Sequence, residues 1–162
     1  METIKEKRTL LNATIFASLC LATAFGLEHF AGYDPCILCW TQRAIVGAFI
    51  LFGVLGLLLH PKSVIGRKTY ASILSIISLA GVGIALRHVY ILYVPPAESC
   101  GFGAEMIFQM LPWKEAIMEF IKGSPTCSEL DNLFGIPFPY WSLGMFLTLS
   151  VASIRLFFVN KK

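Results

Sequence analysis

Residues 44–59 read AIVGAFILFGVLGLLL and contain no charged side chain. Three further charge-free apolar runs share this character: Leu10–Leu27, Thr69–Leu86 and Asn132–Ile154. Each run approaches or exceeds the roughly 18–20 apolar residues needed to cross the hydrocarbon core of a bilayer. Because a chain inside hydrocarbon must satisfy its own backbone hydrogen bonds, each run is expected to be helical. The sequence therefore predicts four transmembrane helices.

The composition of the 162-residue chain favours a membrane protein over a soluble domain. Hydrophobic types make up 56% of the residues and charged types only 14%, against about 25% charged residues in an average soluble domain. So few charged side chains would coat a soluble globule of this size only thinly. Disordered, collagen-like and soluble nucleic-acid-binding proteins are excluded, and the net charge of +3 is explained by membrane topology instead.

The basic residues are distributed unequally between the two sides of the predicted bundle. Nine lie before the first run, between the second and third, or after the fourth: Lys5, Lys7, Arg8, Lys62, Arg67, Lys68, Arg155, Lys161 and Lys162. The opposite side holds four: Arg43, Arg87, Lys114 and Lys122. Lysine and arginine are enriched in short cytoplasmic loops, so both termini and the loop at 60–69 are expected in the cytoplasm.

The predicted organisation is a single integral membrane domain over residues 1–162. Its spans lie at about 10–28, 40–60, 69–92 and 139–159, and its outer loops at about 29–38 and 93–137. The first run also fits a cleaved secretory signal, with Ala22-Thr23-Ala24 as a cleavage-like site. The length of this first run favours a helix that is retained in the mature protein.

Part of the long outer loop has a character of its own. Residues 104–121 mix apolar and charged side chains, and Pro112 divides them into two short pieces. The stretch is too short and too polar to span a bilayer but too apolar for a solvated loop. It predicts an interfacial helix with Trp113 near the headgroups, and a small lid packed on the bundle is the alternative.

The cysteines are also unequally distributed. Cys20 falls within the first span, where a small buried hydrophobe is expected. The other four fall on the outer side, Cys36 and Cys39 in the first loop and Cys100 and Cys127 in the second. Thiols that face an oxidising compartment can form disulfides and keep them, so this placement indicates disulfide chemistry.

Cys36 and Cys39 form a Cys-x-x-Cys motif at the predicted start of a helix, directly after Pro35. A helix N-terminus favours a thiolate over a thiol. Arg43 follows Cys39 by four residues, so its permanent positive charge lies on the same helical face. A thiolate and a guanidinium together at the membrane edge suit electron transfer to a lipid-soluble quinone, with Arg43 polarising a carbonyl group.

Other interpretations of these residues stay open. The four outer cysteines are compatible with a zinc site, although a second Cys-x-x-Cys is missing, or with two structural disulfides. Arg43 alone fits a side chain that extends to the headgroups. Arg87 and His88 fit either proton transfer near a quinone or anchoring of a helix end, with anchoring favoured. Glu28 and His29 invite the same anchoring interpretation.

The layout resembles the DsbB family, membrane thiol:quinone oxidoreductases of bacterial disulfide formation. The resemblance rests on PCILCWTQR at residues 35–43, on Cys100 and Cys127, and on GIPFPYWSLG at residues 135–144. It implies an all-α membrane protein, a four-transmembrane-helix bundle with a short interfacial helix in the second periplasmic loop. It further implies a place in the bacterial inner membrane, with both cysteine pairs in the periplasm.

The resemblance implies that the protein reoxidises a periplasmic DsbA-like thiol oxidase and passes the electrons to ubiquinone or menaquinone. Cys100 and Cys127 would form the disulfide presented to the partner, with Cys100 in the mixed disulfide. Cys36 would exchange with Cys127, and Cys39 would adjoin the quinone. Arg43 and His88 are implied at the quinone site, and no metal is implied.

Two other functions remain as alternatives. A vitamin K epoxide reductase-like protein also carries a Cys-x-x-Cys in a four-helix bundle, but there the motif is expected late in the chain, after the shuttle cysteines. Here it comes first. A tetraspan membrane protein with purely structural disulfides would reduce no quinone when given a reduced dithiol partner.

Overall fold

The computed structural model describes residues 2–32, 35–59, 63–94, 112–122, 132–133 and 135–159. Within these ranges the chain forms five helices and two short strands: α1 (Glu2–Ala31), α2 (Ile37–Leu59), α3 (Val64–Tyr93), α4 (Trp113–Lys122), β1 (Asn132–Leu133), β2 (Ile136–Pro137) and α5 (Phe138–Val159). Helices α1, α2, α3 and α5 are long and apolar enough to cross a membrane. The predicted all-α fold with four membrane-spanning helices is therefore confirmed.

Local sequence explains where several of these helices begin and end. Ser63 caps α3, because its side-chain oxygen accepts a hydrogen bond of 3.0 Å from the backbone N–H of Gly66. Helix α1 ends before Gly32, which has a φ of 68° and so takes the left-handed conformation common after a helix. Pro139 lies in the first turn of α5, where a missing backbone N–H is tolerated.

A short β-hairpin leads into α5. Strands β1 and β2 are antiparallel, with Asn132 opposite Pro137 and Leu133 opposite Ile136. Gly135, with a φ of 80°, lies in the connecting turn. These strands are not predictable from the sequence, because two-residue strands are too short to show an alternating pattern.

The four long helices form a closed ring in which each packs against two neighbours. Helix α1 packs against α2 and α5, and α3 packs against the same two helices. One end of the bundle is joined by an ion pair of 3.0 Å between Arg67 on α3 and Glu6 on α1. At the other end the hydroxyl groups of Tyr93 on α3 and Tyr140 on α5 lie 2.6 Å apart.

Small residues allow the helices to approach closely at the centre of the bundle. A side chain at Gly53 on α2 would meet Thr14 on α1, and one at Gly81 on α3 would overlap the ring of Phe146 on α5. The core around them is apolar and fully buried: Ala17, Phe49, Leu74, Phe146 and Leu149. Close packing across small residues is the usual way that helices associate in a bilayer.

The outside of the bundle is also apolar. Large hydrophobic side chains are exposed along all four long helices, among them Leu19, Leu58, Ile76 and Val151. A soluble protein rarely exposes so continuous an apolar surface, whereas lipid tails solvate it without cost. The exterior therefore agrees with a membrane protein.

Helix α4 lies in the second half of the stretch predicted to be interfacial. It begins at Trp113, directly after Pro112, and it contacts α2. The order of apolar and charged residues in its sequence follows the helical period, as in helices that lie at a membrane surface. The first half, residues 104–111, lies outside the described residues, and the interfacial location itself stays a prediction.

Candidate functional site

The Cys-x-x-Cys motif lies at the start of α2. The backbone carbonyl of Cys36 accepts a hydrogen bond of 3.1 Å from the N–H of Trp40, so Cys36 lies directly before the first residue of α2, Ile37, and Cys39 lies in the first turn of the helix. The two Sγ atoms are 3.2 Å apart. A covalent S–S bond of about 2.05 Å requires a movement of only about 1 Å, so the pair is arranged for reversible disulfide formation.

The two cysteines differ in their surroundings. Cys36 is buried, whereas Cys39 is partly exposed. Cys36 packs with Leu38 and with Ile91 of α3 in a small apolar cluster, and Cys39 and Ile84 lie against it. Water is thus largely excluded from Cys36, so any charge on its sulfur depends on nearby protein groups.

His88 of α3 lies beside the buried cysteine. Its Nε2 atom is 3.6 Å from the Sγ atom of Cys36, and the residue is 0% exposed. The anchoring interpretation is therefore wrong for His88, since a side chain that anchors a helix end in the headgroups would be exposed. Arg87 is exposed, and its guanidinium lies 5.5 Å from the ring centroid of Tyr90, which agrees with anchoring.

Gln42 completes this buried group, although it is not among the site residues predicted from the sequence. Its Nε2 atom lies 3.2 Å from the Nδ1 atom of His88, and Gln42 is 5% exposed. One signal was available: Gln42 is a polar residue at the start of an otherwise apolar span, three positions after Cys39 and hence near it on the helix surface. Its partner, 46 positions away, was not visible in the sequence.

Arg43 also lies on α2, and its side chain is bound by residues of α1. Its guanidinium forms an ion pair with Glu28 and donates a hydrogen bond of 3.1 Å to the backbone oxygen of Ala24. The side chain of Arg43 is only 12% exposed, so it does not extend freely to the headgroups. Glu28 was interpreted as a headgroup anchor, and the structure shows it paired with Arg43 instead.

Two aromatic rings surround the guanidinium. Its central carbon lies 4.7 Å from the ring centroid of Phe25 and 5.5 Å from that of Trp40. Both rings are more than a third exposed on the outside of the bundle. Among the described residues, Glu28 and Ala24 use two of the five N–H donors of Arg43. The region around Arg43 therefore combines aromatic surface with a cationic hydrogen-bond donor. These features suit a planar apolar molecule with carbonyl oxygens.

The ligand atoms of Cys36, Cys39 and His88 all lie within 4.8 Å of one another, so these residues form a potential metal-ligand set. The zinc alternative drew its other ligands from Cys100 and Cys127. Both lie outside the described residues, and their pairing and roles stay predictions. Helix α4 lies between them in sequence and contacts α2, the helix that carries Cys39.

Comparisons with known proteins agree with this site. The family model described as Disulfide bond formation protein DsbB matches residues 6–156. Disulfide bond formation protein B of Alkalilimnicola ehrlichii is 40% identical over 131 residues, 81% of this chain and 80% of that protein. The proteins of the same name from Methylococcus capsulatus and Azoarcus sp. are 33% and 32% identical, with 94% and 98% of this chain and 94% and 97% of those proteins covered.

No solved structure matches the chain significantly. The family match covers nearly the whole chain, and all four membrane-spanning helices contribute to it. A disulfide-forming oxidoreductase is the activity that this relationship supports, and the Cys36–Cys39 pair is the matching chemistry within the described residues. The chain is a multi-pass membrane protein and belongs to the DsbB family of disulfide bond formation proteins.

Proposed function

We propose that this protein is a thiol:quinone oxidoreductase that reoxidises a periplasmic DsbA-like dithiol oxidase and transfers the electrons to a membrane quinone. The observation that carries the proposal is the Cys36–Cys39 pair, whose sulfurs are 3.2 Å apart at the end of a membrane-spanning helix with Arg43 on the same face. A dithiol at this position is close both to proteins at the membrane surface and to lipid-soluble molecules in the bilayer.

Ubiquinone and menaquinone both fit the residues around Arg43. The exposed rings of Phe25 and Trp40 offer aromatic surface to a planar ring, and Arg43 offers N–H donors to a carbonyl oxygen. When bound, a quinone accepts two electrons and two protons, which matches the oxidation of one dithiol to a disulfide. The ion pair with Glu28 keeps the guanidinium at this edge, so the chain's contribution is to bind and orient the acceptor beside Cys39.

The electrons reach Cys39 through two thiol–disulfide exchanges. A thiolate of the partner attacks Cys100, the bond between Cys100 and Cys127 breaks, and the electron pair stays on Cys127. The Cys127 thiolate attacks Cys36, the bond between Cys36 and Cys39 breaks, and the electron pair stays on Cys39. The negative charge thus develops on the sulfur that shares a helix face with Arg43.

The proposed location is the bacterial inner membrane with both termini in the cytoplasm and the cysteine pairs in the periplasm. The bundle end opposite the cysteines carries Lys5, Lys7 and Arg8 on α1, Arg67 and Lys68 on α3, and Arg155 on α5. This concentration of positive charge favours a cytoplasmic location for that end. The dithiol end then faces a compartment in which disulfides persist.

Anaerobic mixing of the purified protein with a reduced DsbA-like protein tests the proposal. Quinone absorbance and the oxidation state of the partner are followed together, and acid quenching traps mixed disulfides. One quinone is expected to be reduced for each partner dithiol oxidised. The Cys100→Ser variant should leave the partner reduced, and a Cys20→Ser control should behave as the unmodified protein. Disulfides that resist the partner, with no quinone reduced, would instead indicate a purely structural role.

A further inference from the structure

A buried chain of three polar groups connects α2 and α3 at the dithiol. Gln42 Nε2 lies 3.2 Å from His88 Nδ1, and His88 Nε2 lies 3.6 Å from Cys36 Sγ. Gln42, His88 and Cys36 are 5%, 0% and 7% exposed. Polar groups held this far from water are normally matched donor to acceptor, so the direction of each hydrogen bond has a chemical meaning.

The amide nitrogen of glutamine only donates hydrogen bonds. In the orientation that the amide has in the structure, its nitrogen faces Nδ1, so His88 Nδ1 accepts from Gln42. A neutral imidazole that accepts at Nδ1 carries its hydrogen on Nε2. We propose that Gln42 is a positioning residue that holds His88 in this tautomer, so that the Nε2–H group of His88 donates to the sulfur of Cys36 and stabilises its thiolate.

This inference rests on the proposed function and gives His88 a role in it at Cys36. After Cys127 has attacked Cys36, the second thiolate of the partner attacks the partner sulfur that is bonded to Cys100, that bond breaks, and the electron pair stays on Cys100. The Cys100 thiolate then attacks Cys127, the bond between Cys127 and Cys36 breaks, and the electron pair stays on Cys36. The Nε2–H group of His88 stabilises that charge as a hydrogen-bond donor, and no proton is transferred. A donor aimed at the developing charge before the bond breaks requires no reorganisation at that moment.

The surroundings of Cys36 favour such a donor. Cys36 packs with Leu38 and Ile91 in an apolar cluster and is 7% exposed, so little water can solvate a thiolate there. Other ionisable groups lie at this end of the described bundle on every helix packed there. They are the Arg43–Glu28 ion pair between α2 and α1, Cys39 on α2, His29 on α1, Arg87, Tyr90 and Tyr93 on α3, Lys114 and Glu115 on α4, and Tyr140 on α5. The charge of Arg43 is offset by Glu28, whereas the Nε2 atom of His88 lies 3.6 Å from the Cys36 sulfur.

The same tautomer argues against a metal site at Cys36, Cys39 and His88. A metal-bound imidazole binds through a nitrogen lone pair, and the proton then lies on the other nitrogen. With Gln42 donating to Nδ1, the nitrogen that faces the sulfurs carries a hydrogen. The geometry therefore favours thiolate stabilisation over metal binding.

Nitrogen NMR of the reduced, full-length protein with labelled histidine tests the tautomer directly. At about pH 8, where an ordinary histidine is neutral, Nε2 of His88 is expected to carry the hydrogen and Nδ1 to be unprotonated. The spectrum of the His88→Gln variant assigns the signals, because only those of His88 disappear. A hydrogen on Nδ1 would overturn the proposal, and the measurement needs no altered Gln42.

Alkylation of Cys36 by iodoacetamide tests the role of Gln42, since only the thiolate reacts. Cys36 is made the sole cysteine by the changes Cys20→Ala, Cys39→Ser, Cys100→Ser and Cys127→Ser. At neutral pH, Gln42→Leu is expected to slow alkylation by about tenfold, the low end for a hydrogen bond to a charged group. The rate-versus-pH curve should shift to higher pH by the corresponding amount.

A double-mutant comparison separates positioning from a general structural effect. In a His88→Leu background, Gln42→Leu should cause no further slowing, and His88→Gln alone should keep the rate within about threefold because its amide can still donate. A matched control is Ser78→Ala, a buried polar residue on α3 that bonds Ser75 and should leave the rate unchanged. An equal loss from Gln42→Leu in both backgrounds, or no loss at all, would contradict the inference.

Neither measurement uses a partner protein or a quinone. Failure of the tautomer or alkylation test with normal quinone-linked turnover would reject the role of Gln42 alone. Absence of turnover in a protein that passes both tests would reject the proposed function and leave the thiolate stabilisation at Cys36 in place.

Discussion

The two sulfurs of the dithiol lie in different environments although only two residues separate them. Cys36 is enclosed by α3, whereas Cys39 is partly exposed and shares a helix face with Arg43. In the proposed function Cys36 exchanges with another cysteine and Cys39 contacts the electron acceptor. At the scale of single residues, the dithiol and the Arg43–Glu28 pair each lead to a prediction.

Replacing Cys39 with serine is expected to abolish quinone-dependent oxidation of the partner, because a hydroxyl group can neither form the disulfide nor carry the electron pair. Quinone absorbance under anaerobic conditions measures the effect. Cys20→Ser is the matched control, since Cys20 lies within α1 in the membrane and takes no part in the site. Residual turnover in Cys39→Ser above that of protein-free solution would contradict the role of Cys39.

Arg43→Ala is expected to raise the KM for quinone at least about tenfold while the disulfides still form. It should also lower the free energy of unfolding by about 2 kcal/mol, less than for a fully buried pair because Glu28 is 32% exposed. Adding Glu28→Gln should restore most of the stability, since no carboxylate is then left without its partner, but not the quinone affinity. Steady-state kinetics and thermal unfolding in detergent measure the two effects separately.

Recovery of quinone use in the double variant would contradict a direct role for Arg43 at the acceptor. It would mean that the guanidinium matters only by neutralising Glu28. Normal kinetics in Arg43→Ala alone would remove its assigned role altogether.

At the scale of elements, the contact between α3 and α5 depends on the absence of a side chain at one position. Gly81 faces the fully buried ring of Phe146, and a Cβ atom there would overlap the ring. Gly83, two residues further along α3, has no atom within 4 Å of the position of a Cβ. The two glycines therefore allow a matched test of helix packing within one helix.

Gly81→Ala is expected to lower the free energy of unfolding by about 1–3 kcal/mol, because overpacking forces the Phe146 ring or the helix to move. Gly83→Ala should be neutral or slightly stabilising, since alanine favours a helix over glycine. Thermal unfolding of the purified variants measures both. A Gly81→Ala variant as stable as Gly83→Ala would show that α3 and α5 are not packed as described.

At the scale of the whole molecule, the orientation of the bundle decides which compartment the dithiol meets. The positively charged end holds the α2–α3 connection and the starts of α1 and α3, and the dithiol end holds the β-hairpin. Val64 and Ile136 are exposed β-branched residues at these opposite ends. They serve as a matched pair for labelling.

A single cysteine at each position, in a protein that lacks the five native cysteines, tests the orientation in cells. A membrane-impermeant maleimide added from the periplasmic side is expected to label Ile136→Cys and not Val64→Cys, because the excess of lysine and arginine at the opposite end favours a cytoplasmic location for that end. Labelling of Val64→Cys should appear after the cells are broken open. The reverse pattern would place the dithiol in a reducing compartment and contradict the proposed direction of electron flow.

The sequence by itself determined the features that depend on neighbouring residues. Four charge-free runs predicted the four membrane-spanning helices, and the spacing of Cys39 and Arg43 placed them on one helix face. The inferences about the helices and the shared face use only chain length, local composition or the period of a single helix. The resemblance to the family rested on the motif at 35–43 together with Cys100, Cys127 and residues 135–144.

Only the tertiary structure decided which helices supply the rest of the site. His88 lies beside Cys36 from 52 positions away, and Glu28 of α1 pairs with Arg43 of α2. A contact between two helices depends on how each is rotated about its own axis. In a soluble protein, that rotation can be predicted because each helix has one apolar face, which packs against the core. A membrane helix is apolar both towards the lipid and towards the core. Its sequence therefore gives little indication of which face packs inside the bundle.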